Sequence, residues 1–531
     1  MLKKPVYLKA AFFVLIIISG AMGSQGYAQQ NSAGLSLIQA VGVTISQQPN
    51  ILIQGEQVKN QQGVLQQAKG KFDPALKASM GKDYLKTPLT QNEQLSYNNL
   101  IQEYLSDKLT TTVAVEKQLR SGIAFGPNMQ VFRVGSNLDQ FNLLNPVPSN
   151  YSTFNFAISV PLLKGLGRDV AAADETAADI NLEATKLEFG HTVAKSVSTT
   201  ARAYWQYLAD KRHLDIYKEA EARAGRGLEL VNQLVGAKER PAADLVQVQA
   251  SLAEKTALRI AAEQRLIEAR KNLGLSMGLP SQEIFVLPLP QDPFPEPAEH
   301  IASIVGGKQD EYVQLAEERR DDLLAAQKRE QSAKVLMVAA EKNTKPELNV
   351  TAGIGYAGLQ EGGNFKNYLN SINQNPVGLN YTASVMLKYP WGNNAAKGLS
   401  AQKKASRRQA ELQVSDLDRI IRSGVAVALE AVILHSAGLK KAREAVALYQ
   451  KSITNEATKY KLGMSTIIDV ITTANLLDQA KLTEVTNHLN YANAIIALRY
   501  ETGTILVKEK DQCRVEKRSL LQIPNPRMEH Q

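Results

Sequence analysis

Six histidines and one cysteine are the strongest ligands and nucleophiles this 531-residue sequence offers, and their spacing is unpromising. His191, His213, His300, His435, His488 and His530 are scattered, and none stands in a metal-ligand spacing with Cys, Asp or Glu. Cys513 near the C-terminus has no partner for an intrachain disulfide and is misplaced for N-terminal lipid modification. There is no Walker loop and no G-x-S-x-G elbow. Gly165-Leu166-Gly167-Arg168 follows a strand-like segment and precedes a helical one. It lacks the full glycine pattern and the Lys-Ser/Thr of a phosphate loop, so it reads as a strand-to-helix turn. Tyr204 and Trp205 in ARAYWQYLADK read as helix packing. The expectation is a chain with no catalytic, cofactor-binding or metal residues, and not an enzyme.

What the chain does contain is a duplication. NQQGVLQQAKGKFDPALKASMG in the first half aligns with KVLMVAAEKNTKPELNVTAGIG in the second. Ala68, Pro74 and Leu76 meet Ala340, Pro346 and Leu348 at one offset, and upstream Pro49-Asn50-Ile51 meets Asp321-Asp322-Leu323. The ends match too. Asp244 to Gly278 and Asp469 to Gly503 have equal length, and each is preceded by a glycine, Gly236 and Gly463, with two extra residues in the first copy. Each half opens with a helical stretch, 35–71 and 310–344. Each then runs into a proline-free segment rich in Ala, Glu, Lys and Leu, from Val170 to Gly236 and from Ala395 to Leu462. At 1.5 Å per residue each segment spans roughly 100 Å, and each returns as a shorter helix. Ala442, Ala445, Tyr449, Ile453, Ala457 and Tyr460 recur at spacings of three and four, a coiled-coil-like seam rich in small residues.

Short alternating segments precede the long helices. Phe154, Phe156, Ile158 and Val160 alternate with Asn155, Ala157 and Ser159; Tyr381, Ala383, Val385, Leu387 and Tyr389 alternate with Thr382, Ser384 and Lys388. Both end in proline, Pro161 and Pro390, which mark strand-helix turns. A further strand follows Pro346, with Leu348, Val350, Ile354 and Tyr356 on one face, and a weaker counterpart follows Pro74. One apolar and one polar face over about ten residues suit a transmembrane barrel strand. Trp391, Tyr389 and Tyr381 are candidates for an interfacial aromatic belt. Residues 85–150 are an insertion without a match in the second half. Within it Thr111–Leu119 and Ile123–Val134 read as an extra hairpin, either in the barrel wall or external to it. Four strands cannot close a pore-sized barrel, so an oligomer is implied; a trimer would supply about twelve.

Lys3 and Lys4, the apolar run Ala10–Ile18 and Gly26-Tyr27-Ala28 have the form of a cleaved signal peptide, residues 1–28. Removing its three lysines from the net charge of +9 leaves +6, a mild surplus that argues against a nucleic-acid partner. No later stretch approaches ~18 consecutive apolar residues, so a membrane location requires strands. The expected organisation is a first repeat over 29–285, a proline-rich linker over 286–308, a second repeat over 309–507 and a flexible C-terminal tail over 508–531. The fold class is mainly α with β: long helical hairpins plus four or more strands per chain contributing to a trimeric β-barrel.

With these segments in this order, the chain resembles the TolC-like outer membrane efflux family over about residues 33–507. The resemblance rests on AVGVTISQQPNI, PLLKGLGR at Pro161–Arg168, YLADKRHLDIY, and YKLGMSTIIDV followed by ALRYETG. It implies a homotrimer with its barrel in outer-membrane lipid and a helical tunnel in the periplasm. It also implies a periplasmic adaptor and an inner-membrane transporter as partners, serving efflux or type I secretion. Tyr460, Gly463 and Asp469 match the family's second-hairpin pattern at the closed periplasmic entrance, and Asp244 the aspartate of the first hairpin; Gly236 and Gly463 mark the two tips. Two departures stand out: Thr472 where a second ring aspartate can occur, and Ser465 where an arginine can tie the gate. A periplasmic scaffold without a pore is the alternative.

Overall fold

The computed structural model describes residues 34–138, 147–299, 301–509 and 512–526; the expected signal peptide lies outside them. Eight long helices carry the duplication. α1 (Leu37–Gln47) and α2 (Pro49–Gly70) open the first repeat, which continues with α3 (Ala173–Gly236) and α4 (Ala243–Met277). The second repeats them as α5 (Gln309–Arg319), α6 (Asp321–Lys342), α7 (Asn394–Lys461) and α8 (Ile467–Glu501). Lengths match pair by pair: 11 and 11 residues, 22 and 22, 64 and 68, 35 and 35. α3 and α7 therefore each run roughly 100 Å.

The opening stretch of each repeat is not one helix but two. In the first, Gln48 is extended (φ −65°, ψ 119°) because the ring of Pro49 excludes the helical conformation from the residue before it. In the second, Arg320 is extended at the equivalent place (φ −72°, ψ 112°) without any proline. Its buried guanidinium is held instead by Asp322 and Glu501.

The chain divides into two compact units. One comprises Met1–Lys59, Ala184–Gln327 and Gln413–Gln531. Its largest core gathers Leu37, Val41, Trp205, Leu208, Leu273, Met277 and Ile496, with Tyr204 and Trp205 fully buried. The proline-rich connector is extended, as its composition dictates, but it is not free. Leu35 donates its N–H to the Leu289 carbonyl and accepts from the Gln291 N–H, and Asp292 accepts from the Leu37 N–H and the Tyr204 hydroxyl. The described part of the segment after residue 508, up to residue 526, is likewise docked rather than loose. Val507–Glu509 and Gln512–Arg514 pair as β7 and β8, the short helix Lys517–Leu521 buries Leu520 in the core, and Tyr312 donates to the Pro524 carbonyl. Scattered apolar residues in a polar stretch gave no periodicity from which to read this.

The other unit, Asn60–Glu183 and Lys328–Leu412, holds a six-stranded antiparallel meander. Its strands are β1 (Ala75–Pro88), β2 (Glu103–Gln118), β3 (Ala124–Ser136), β4 (Ser149–Pro161), β5 (Glu347–Glu361) and β6 (Val377–Lys388), ordered as in sequence. β5 and β6 are the strands read around Pro346 and Pro390. β1 is the weak counterpart after Pro74, and β2–β3 is the hairpin within 85–150, which sits inside the sheet between β1 and β4.

Candidate functional site

Two places in the fold could serve a function: the sheet and the tips of the two helical hairpins. In the sheet, the register sorts side chains onto two faces. Phe154 pairs with Tyr356, Phe156 with Ile354 and Val160 with Val350; Val350 pairs with Val385 and Ile354 with Tyr381. Val113 pairs with Met129 and with Ala78, and Met129 with Phe154, so the same apolar face runs through all six strands. The opposite face carries Ser79, Thr112, Gln130, Thr153, Gly355 and Asn380. β1 and β6 are the edges, exposed along their whole lengths. A row of unpaired N–H and C=O groups beside exposed Leu76, Met80, Val385 and Leu387 does not persist in water.

Pro161 is the last residue of β4, and the chain then turns through Gly165 and Gly167, both at positive φ, into a short helical turn at Arg168–Ala171 and α3. Pro390 follows β6, and Gly392 and Asn393 turn the chain into α7; the Asn393 amide donates to the Thr344 carbonyl. Tyr381 lies on the apolar face of β6, Tyr389 and Trp391 follow the strand's end, and Trp391 is fully exposed. At about 3.3 Å per residue, Tyr381 lies roughly 27 Å along the chain from Tyr389, comparable to an apolar band ~25 Å tall.

At the tips, Val231, Val248, Tyr460 and Ile467 form a small apolar cluster to which α3, α4, α7 and α8 each contribute. Tyr460 is 3% exposed. The Arg240 guanidinium lies 4.5 Å from its ring centroid and donates to its carbonyl at 2.7 Å, joining the first turn to the end of α7. Burial pushes the Tyr460 phenol up from its ordinary value, and among the described residues its hydroxyl has no hydrogen-bond partner. Gly463 takes the left-handed position (φ +77°) after α7, and the Met464 N–H returns to the Lys459 carbonyl. Gly236 does not do the same for α3. It stays helical, and Lys238 takes the left-handed position (φ +63°), the Glu239 N–H returning to the Leu234 carbonyl. The two extra residues of the first copy move the turn past the glycine.

Asp469 belongs to a capping box. Its carboxylate accepts from the Thr466 N–H (3.0 Å) and hydroxyl (2.6 Å), and its own N–H donates to Thr466 Oγ1 (3.3 Å). The Thr466 hydroxyl, then its N–H, hold the Asp469 carboxyl below the ordinary carboxylate value. Glu456 is lowered too, by the Ser465 hydroxyl and then Lys459. Ser465, where the family resemblance allows an arginine, thus serves Glu456. Asp244 stands half-exposed in the first turn of α4. Arg240 is the contact the sequence did not announce; the clue was the longer first turn, KERPAAD. Among the described residues no cluster of three metal-ligating side chains occurs.

Residues 312–504 match the outer membrane efflux protein family. The whole fold is shared with solved channels: the outer membrane protein VceC of Vibrio cholerae (TM-score 0.63, 15% identity, 88% of this chain and 96% of that one) and the CmeC outer membrane channel of Campylobacter jejuni (0.63, 12%, 92% and 94%). The family's pattern is thus carried by residues 312–504, and the chain as a whole has the fold of these TolC-like channels. The open state of the MtrE outer membrane channel of Neisseria gonorrhoeae is similar as well (0.58, 13%, 88% of each). At these identities the structural likeness is one of fold. No curated relative matches the chain in sequence. Within this fold, the sheet is the part whose apolar band suits lipid.

Proposed function

We propose that three copies of this chain form the passive outer-membrane duct of a multicomponent export machine. A periplasmic adaptor and an inner-membrane transporter would supply contact and energy. The observation that carries this reading is the six-stranded sheet, with a band of apolar side chains that crosses every strand on one face and two unpaired edges. A single copy cannot close it, and an open edge is not tolerated in lipid. A second feature supports a ring. α7 exposes Ile420, Val427, Leu434 and Leu448, and α4 exposes Val246, Ile260 and Ile267, both in steps of seven or multiples of seven. Heptad stripes call for a partner helix. Two different stripes suit a head-to-tail contact between copies that closes into a ring. The α7 stripe also accounts for an 18-residue apolar window in that helix.

A scaffold without a pore has no use for the lipid-suited face. Purified mature protein should run as a trimer after cross-linking and should conduct ions in planar bilayers. A soluble monomer without conductance would overturn the reading.

A further inference from the structure

Four strands per copy would complete the duplicated plan: β1 with its counterpart β5, and β4 with β6. The β2–β3 hairpin is extra, and the sheet has absorbed it. β1 pairs with β2 from Ala75↔Glu116 to Pro88↔Glu103, and β3 pairs with β4 from Ala124↔Ser159 to Val134↔Ser149. The apolar band and the polar face both continue across the middle of the hairpin, with Asp107 and Arg133 beyond the band on its own face. Val113 and Met129 carry the apolar face, and Thr112, Asn128 and Gln130 the polar one.

The hairpin turn is also fastened at the helix-side rim. Ser121 accepts from the Gly167 N–H at 3.0 Å. Gly122, at φ +94°, lies so close to the Gly165 carbonyl that a Cβ there would stand 2.2 Å from its oxygen. Arg120 makes two hydrogen bonds to Glu175 at the start of α3 (2.6 and 2.7 Å) and lies 4.9 Å from the Phe72 ring centroid. An external flap needs none of this.

We propose that the β2–β3 hairpin is a wall-widening insert: each copy gives six strands to the barrel, and three copies close an eighteen-stranded wall around an enlarged lumen. This rests on the trimeric duct proposed above. The even count matters. Along a six-stranded meander β1 and β6 run in opposite directions, so β6 of one copy meets β1 of the next antiparallel, as each pair within the copy does. The edge strands have similar lengths, 14 and 12 residues. With strands about 4.8 Å apart and tilted about 40°, eighteen strands enclose a backbone ring about 36 Å across, against about 24 Å for twelve. The barrel then passes bulkier solutes than a twelve-stranded one, so it does not set the size limit for small-molecule cargo.

The test is electron microscopy of the trimer in lipid nanodiscs, viewed along the pore axis. The full chain is compared with a variant lacking residues 90–136, which joins β1 to β4 through the segment preceding β4. The expected result is a ring about 1.5 times wider in the full chain. A twelve-strand ring in the full chain overturns the inference and leaves the duct standing. Absence of any ring overturns the duct itself. Should the deletion not fold, labelling decides. In a Cys513→Ser background, Thr112→Cys in the assembled trimer should react with a water-soluble maleimide, and Val113→Cys should resist it and be reached by a lipid-borne reagent. Equal aqueous reactivity of the two places the hairpin outside the wall.

Discussion

The two hairpin tips have return helices of equal length, 35 residues each, and end differently. The second tip is organised by its own residues. Gly463 supplies the left-handed turn without steric cost, and Thr466 and Asp469 cap α8 reciprocally. The first tip has neither device. Lys238 adopts a conformation that an L-residue resists by about 1–2 kcal/mol, and Ala242 caps α4 with no side-chain bond. What steadies it is borrowed: Arg240 leans on Tyr460 of the other hairpin. One tip is locally encoded and the other is conditional on its neighbour.

The largest way to break this asymmetry is through the shared cluster. Tyr460→Ala should cost about 3 kcal/mol or more of local stability, the usual consequence of emptying a buried aromatic site. Hydrogen exchange should accelerate in both tips. Arg240→Ala should loosen chiefly the first, and Arg240→Lys should not rescue it, because an ammonium cannot both stack and donate as the planar guanidinium does. Exchange confined to the second tip in Tyr460→Ala would show that the tips are independent.

A smaller effect should sharpen the contrast by sign. Gly463→Ala should destabilise the second tip by about 1 kcal/mol, and Lys238→Gly should stabilise the first by about as much. Thermal or denaturant unfolding of the two variants checks it; shifts of the same sign would contradict the assigned turns.

The smallest effect is one of pH. Asp469 and Glu456 have carboxyl groups lowered in the folded protein, so their contribution is fully present above the ordinary carboxylate range and is lost as pH falls through their lowered values. Exchange in the second tip should rise on acidification, and Thr466→Ala should flatten the part due to Asp469 while costing about 1 kcal/mol at neutral pH. Asp469→Asn keeps an acceptor for the cap and removes the charge. We propose that this charge also serves the entrance, so the substitution should lower cation selectivity in single-channel recordings; unchanged selectivity and cation block would leave Asp469 as a cap alone.

Much of the architecture was legible because it is periodic. The proline-free helical runs, the alternation before Pro161 and Pro390, and the offset linking Pro74 to Pro346 are local patterns, and the elements lie where those patterns run. The seam from Ala442 to Tyr460 is buried or half-buried at each expected position. What escaped is what depends on distant partners. Arg240 and Tyr460 are 220 residues apart, and no window contains both. β1 was weak because Lys82 and Lys86 interrupt its apolar face. The place of β2–β3 in the sheet depends on pairing with strands on either side. The docking of residues 512–526 is not periodic: a few anchors, Leu520 above all, outweigh a polar composition once a surface awaits them. Gly236 misled because a glycine near a helix end permits a turn without requiring one.

The paired corners at Gln48 and Arg320 say something about descent. A gene that doubled once has kept the same bend in both halves while losing the same means of making it. In one half a ring forbids the helix; in the other, two carboxylates hold an arginine where the helix would have continued. The side chains at the two corners differ and the backbone path does not. A ring on one side and an ion pair on the other are thus two physical means to one bend, and a proline exchanged between the halves is a substitution the backbone already accommodates.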